Sequence, residues 1–168
     1  LNFDHKQLLY ASVNVSPKLG IFRPTWGFNY NQQFFDTRKY GASKALSKPL
    51  LSCSLNNNFA LSETMNAAIS LNAETSNADG FLMMKSNYSV DLRFDKSFAN
   101  RTWIIYLSAN DIFKTAKERW TMYGLGAGTT KDCYNYTRNV SLQVTYNFNA
   151  KRSKYKGTGA GNEEKSRL

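Results

Sequence analysis

No stretch of this 168-residue chain holds the roughly 18 to 20 consecutive apolar residues that a membrane-crossing helix needs. The longest comparable run, Trp103 to Leu107, is the size of a strand. A helical membrane protein is thereby excluded. Histidine is nearly absent: His5 stands alone near the start of the chain. A histidine-based metal site or a Ser-His-Asp triad would rest on that one residue, so neither is expected. The two cysteines, Cys53 and Cys133, form no CxxC pair and no disulfide framework. Proline occurs only three times. No basic n-region followed by an apolar h-region opens the chain at Leu1, so the expectation is either a cytoplasmic protein or one whose beginning is missing.

Aromatic residues make up 14% of the chain, asparagine is plentiful, and mean hydropathy is on the hydrophilic side. The formal charge of +10 raises nucleic acid or anionic lipid as partners. The basic residues are scattered through turns and loops, which fits a solvated surface better, and no nucleic acid is expected. Their one local excess follows Lys151, where six basic side chains face Glu163 and Glu164. With so little apolar content, residues 150–168 are expected to be a flexible, disordered basic tail, and residues 1–149 the folded part.

What the chain does have is alternation. In Arg138 to Phe148, Val140, Leu142, Val144, Tyr146 and Phe148 fall on one face of an extended strand, and Asn139, Ser141, Gln143, Thr145 and Asn147 on the other. The same pattern recurs over residues 8–16, 19–35, 50–60, 65–75, 87–94 and 102–110. Pro24 sits inside the second of these, where a bulge or break is expected. Residues 111–123 are read as a strand continuing past a bulge, with a short helix from Lys114 to Arg119 as the alternative, and 125–135 as a loop. The fold class is therefore all-β, with about seven antiparallel up-and-down strands.

The connections sort by length. Those at 16–19, 61–64 and 95–101 are short, those at 36–49, 76–86 and 124–136 are long, and the two kinds alternate. All short turns would then lie at one end of the sheet and all long loops at the other, as in a transmembrane β-barrel. The polar face is rich in Asn, Ser, Thr and Gln, which suits a wet lumen. Phe22, Phe59, Phe94, Trp103, Tyr146 and Phe148 sit near the short-turn ends, as an interfacial girdle would.

No motif promises chemistry. Neither Gly124 to Thr130 nor Lys156 to Gly161 fits GxxxxGK[ST] or lies between a strand and an amphipathic helix. No cofactor, metal site or enzyme activity is expected. A soluble basic β-domain binding nucleic acid or polysaccharide is the alternative, but it does not explain the sorted connections.

Three segments, Tyr88 to Phe98, Leu107 to Phe113 and Arg138 to Phe148, together resemble the end of TonB-dependent receptor barrels, in particular the related Bacteroidetes outer-membrane β-barrel family. Asn110, Asp111, Ile112 and Phe113 are similar to the N-[ND]-[LI]-F element of the penultimate strand. The tail beginning at Lys154 is similar to the segment after the last strand in many of those proteins. The resemblance implies a receptor or transporter barrel of about 22 strands with an N-terminal plug. No plug, TonB-interacting segment or signal peptide is seen here, so the chain is expected to be the C-terminal part of a larger receptor or a truncated gene product. The implied location is the cell outer membrane. The implied partners are outer-membrane lipid, the remainder of the barrel and its plug, and the outer-membrane assembly machinery, with TonB-type energy coupling only through upstream parts. By the same resemblance, Val140, Leu142, Val144, Tyr146 and Phe148 serve as assembly signal and girdle, with Trp103 and Phe94 beside them.

Overall fold

A computed structural model describes residues 6–34, 36–42, 46–124 and 127–148. The expected tail, 150–168, lies outside the described residues. In chain order the strands are β1 (Gln7–Val15), β2 (Phe22–Phe34), β3 (Leu50–Ser62), β4 (Met65–Glu74), β5 (Asn77–Asp79), β6 (Leu82–Met84), β7 (Asn87–Phe98), β8 (Trp103–Asn110), β9 (Lys117–Gly124), β10 (Ala127–Tyr134) and β11 (Asn139–Tyr146). One short 3-10 helix, Thr37–Tyr40, interrupts them, and no α-helix occurs among the described residues.

Seven strands form one antiparallel wall in the order β1-β2-β3-β4-β7-β8-β11. These are the seven strands read from alternation. The remaining four form a small second sheet, β10-β9-β6-β5, built from the two excursions that leave the wall after β4 and after β8. Here the structure corrects three expectations. Residues 111–123 do not continue β8 past a bulge: Asp111 and Lys114 adopt left-handed φ angles of 46° and 58°, the chain turns away, and β9 belongs to the other sheet. Residues 125–135 are not simply a loop, because β10 pairs with β9 from Ala127↔Gly124 to Tyr134↔Lys117. Residues 76–86 hold two three-residue strands.

Pro24 also behaves differently from expectation. The β2–β3 register runs without a shift from Phe22↔Phe59 to Asn31↔Leu50, straight through Pro24↔Asn57. The last β1–β2 pair is Val15↔Trp26. Continued, that register sets Pro24 opposite Pro17, beyond the ladder, where a missing N–H costs nothing. The wall's irregularity lies instead in β3, between Ala60 and Ser62.

The register drifts steadily across the wall. The row that starts at Phe22, the first residue of β2, passes through Phe59, Ala67, Phe94 and Leu107 to Leu142, in the middle of β11. Strands so staggered are tilted against their hydrogen-bonded rows, the condition for rolling a sheet into a barrel. The barrel is not closed: β1 and β11 are free edges among the described residues.

A conventional core is missing. The buried hydrophobic residues among those described are Ala42, Leu46, Ala68 and Ala78. Three of them belong to a cap at the long-loop end. There buried Gln33 donates to Leu46 O at 3.1 Å and Gly80 O at 3.2 Å and accepts from Gly80 N at 2.8 Å, while Leu46 N donates to Thr37 Oγ1 at 3.1 Å.

Candidate functional site

The outer face of the wall is continuous and apolar. On β11 it consists of Val140, Leu142, Val144 and Tyr146, paired with Ala109, Leu107, Ile105 and Trp103 of β8. Phe98, Phe94 and Leu92 of β7 continue it opposite Trp103, Leu107 and Ala109. Further round it reaches Ile69 and Leu71, then Leu55 and Phe59, then Trp26 and Phe28, and finally Val15 and Val13. Much of this face is open to its surroundings: Leu142 is 68% exposed and Val140 74%. A water-soluble monomer rarely shows so large a contiguous apolar surface. A bilayer covers it without cost.

Asn57 and Lys96 are polar residues that interrupt this face, and each is accommodated. Asn57 accepts a hydrogen bond from Trp26 Nε1 at 3.0 Å. Lys96 lies towards the turn end of β7, donates to Thr64 Oγ1 at 3.1 Å and sits 5.8 Å over the Phe98 ring, so its charge reaches past the apolar band.

The short-turn end carries an aromatic belt. Phe22 stacks on Phe59 at 5.1 Å, Trp103 packs on Tyr146 at 4.4 Å, and Tyr146 meets Phe148 edge-on at 4.5 Å. Phe94 stands two levels inward, opposite Leu107, because β7 runs on through Lys96 to Phe98, which pairs with Trp103. Phe148 follows the end of β11 and is 83% exposed. Its neighbour Asn147 has another duty: its N–H donates to Thr102 O at 2.8 Å and its Nδ2 to Arg101 O at 2.9 Å, tying β11 to the β7–β8 turn.

The inner face is polar and knitted by cross-strand hydrogen bonds: Asn29 to Ser52 at 3.3 Å, Ser54 to Asn72 at 2.8 Å, Asn66 to Asp95 at 2.7 Å, and Ser108 with Ser141 at 2.7 Å. Its concavity, about 620 Å³, is lined by Asn56, Asn58, Ser70, Asp91, Arg93 and Asn110 among others. Asn110 closes β8 by donating to Asn139 Oδ1 at 2.9 Å.

Asp111 proves to be an anchor. It is 1% exposed, and its carboxylate accepts from Thr137 Oγ1 at 2.7 Å, Thr115 N at 2.8 Å, Tyr134 OH at 3.0 Å and Ala116 N at 3.2 Å. Its own N–H donates to Asp91 Oδ1 at 2.7 Å, and Ile112 N to Val90 O at 3.0 Å. The element Asn110, Asp111, Ile112 and Phe113 thus pins both ends of the β9–β10 excursion to the wall, with Phe113 left 63% exposed. Burial alone would push this carboxyl up, but the hydroxyl of Thr137, the amides of Thr115 and Ala116 and the hydroxyl of Tyr134 outweigh it and hold it at about 2, against an ordinary 3.8. A depressed carboxylate adds stability above its ordinary value and loses it as pH falls through the folded value. Protection of the Thr115 and Ala116 amides, corrected for intrinsic exchange, should therefore hold from pH 7 to about 4 and fall only towards about pH 2. A loss of protection centred near pH 6 would show that another group controls the anchor. In the second sheet Glu118 is also held at about 2, by hydrogen bonds from Lys131 at 2.6 Å, then Trp120 and Asn135.

Residues 1–146 match the outer membrane protein beta-barrel family. The chain belongs to that family. It is an outer-membrane β-barrel protein, and its apolar outer face is the surface such a barrel turns to lipid. No curated protein and no solved structure matches the chain. Family membership removes the soluble basic-domain alternative, which would also have to leave Leu107 and Leu142 in water. Sequence reasoning missed Phe98, concealed by Lys96 breaking the alternation, and Tyr134 and Thr137, whose partnership with Asp111 spans more than twenty residues and has no local pattern.

Proposed function

We propose that this chain is the C-terminal part of a TonB-dependent-receptor-like barrel, supplying the closing strands of a transport or receptor pore and its assembly signal. The observation that carries the reading is the seven-strand wall itself: apolar outside, polar inside, staggered in register and open at both edges. An open edge in hydrocarbon leaves backbone N–H and C=O groups unpaired, so such a wall needs further strands to complete it. The partners in this reading are outer-membrane lipid, the remainder of the barrel with its plug, and the assembly machinery. TonB-type energy coupling belongs to the upstream parts. No catalytic or cofactor role enters.

Within this reading Tyr146 and Phe148 act as the recognised end of the last strand. Phe148 is 83% exposed and meets Tyr146 edge-on, whereas Asn147 holds a turn. Phe148→Asp should reduce the yield of assembled, detergent-extractable barrel several-fold more than Asn147→Asp, scored by heat-modifiable migration of outer-membrane fractions. Equal yields for the two variants would remove the signalling role from Phe148.

A further inference from the structure

Where the second sheet leaves the wall, the inner face gathers positive charge. Glu74 and Asn87 form the last pair of the β4–β7 ladder and, by alternation, share the inner side with Asn72 and Asp91. Asn77↔Met84 continues that register into β5 and β6, so Lys85 keeps the inward side. Lys85 N donates to Arg119 O at 2.9 Å, which sets these two residues side by side, and Lys117 N donates to Asn87 Oδ1 at 3.1 Å. Together they line a pocket of about 210 Å³ between the top of the wall and the base of β9.

The cations of this pocket have no anionic partner. No carboxylate of the described residues makes an ion pair with Lys85, Lys117 or Arg119. Glu118 also lines the pocket, but its oxygens already accept from Lys131 at 2.6 Å, Trp120 at 3.0 Å and Asn135 at 3.3 Å. Glu74 is exposed and can turn its charge to water. Arg119 is held through Nη2, which donates to Ser86 O at 2.7 Å. Its Nε is buried and has no hydrogen-bond partner among the described residues. A buried charged donor without an acceptor is costly, and a bound anion is a partner that removes the cost. Guanidinium and ammonium groups that converge in a cleft select oxyanions, and the protein walls focus their field. We propose that this pocket binds the carboxylate or phosphate group of a small solute at the outer mouth of the pore. The placement at a pore mouth rests on the receptor reading; the chemistry of the pocket does not.

The test titrates inorganic phosphate and, separately, succinate into the receptor purified whole from outer membranes, by isothermal calorimetry at low ionic strength. Saturable binding of at least one is expected at millimolar concentration or below, and the tighter of the two identifies the group. Arg119→Gln should weaken it about ten-fold or more, the range for a hydrogen bond to a charged group. Arg119→Lys keeps the charge but not the Nε–H, and should weaken it as well. Lys39→Gln removes an exposed cation at the same end of the wall and should leave affinity unchanged. Heat-modifiable migration checks the assembly of each variant. If Arg119→Gln fails to assemble, Lys117→Gln, at an exposed position, carries the same expectation. No saturable binding of either anion to the unaltered receptor overturns the inference. So does unchanged affinity in the assembled Arg119 variants, or an equal loss in Lys39→Gln. Failure of the receptor reading looks different: the chain would be recovered soluble and cooperatively folded without detergent, whether or not an anion binds.

Discussion

Leu142→Arg should cost about 2–4 kcal/mol of stability in a lipid bilayer, the range for an arginine on a barrel's lipid face near the midplane. Leu142 lies in the middle of β11, directly opposite Leu107 in the middle of β8, and is 68% exposed on the apolar face. Its β8 neighbours, Leu107 opposite and Ala109 and Ile105 beside it, offer no group to take up the guanidinium, and both ends of the strand are too far for it to reach the interface comfortably. Gln143→Arg, one residue along and on the polar face, should stay within about 0.5 kcal/mol. Urea titration of folded protein in lipid vesicles measures both. The pair of variants reads out orientation: a soluble domain with Leu142 merely at its surface would tolerate both arginines, and an inverted wall would reverse the order.

Asp111→Ala should release the β9–β10 excursion from the wall. The substitution strands two backbone amides and three hydroxyls that now point at one buried carboxylate. Each unsatisfied buried donor costs about 1–3 kcal/mol, though Thr137 and Tyr134 can turn towards water, so a loss of about 3 kcal/mol is expected. Alanine also tolerates the left-handed φ of 46° less well than aspartate. The wall strands should survive, because their register does not pass through Asp111. Limited proteolysis of intact outer membranes should therefore cut between residues 111 and 138 at least ten-fold faster, with heat-modifiable migration of the barrel unchanged. Asp111→Asn keeps the size and two acceptor lone pairs, and should fall between. Unchanged cleavage in the alanine variant would mean that the β9–β10 hairpin is held by contacts other than this carboxylate.

The wall was legible because hydrocarbon outside and water inside impose period-two alternation on every strand, and a single sequence records that pattern directly. Residues 139–146 and 103–110 could be paired on paper from their faces alone. What escaped was set by chemistry without periodicity. The segment Ala127–Tyr134 mixes glycine, threonine, lysine and aspartate, because both faces of the small sheet are partly wet and nothing sorts its residues. β5 and β6 are three residues each, shorter than any alternation can reveal. Lys96 made β7 look finished at Phe94, since a charge on the apolar face reads as an ending until its partner Thr64 is seen beside it. Pro24 looked like a break because sequence does not show which neighbour its missing N–H would face.

Asp111 also bears on the order in which the wall forms. Every neighbouring pair from β1 to β4 is joined by a direct connection, whereas β11 reaches β8 only after the whole excursion 111–138. Closing such a loop carries an entropic cost before any β8–β11 pair can repay it. The bonds from Tyr134 and Thr137 to Asp111 span 23 and 26 residues and bring the base of β11 to the top of β8. Once they form, the remaining gap is only a few residues and pairing can run from Asn110↔Asn139 down to Trp103↔Tyr146 like a zip. The carboxylate that steadies the finished loop thereby also sets where, and how late, the final strand begins to join.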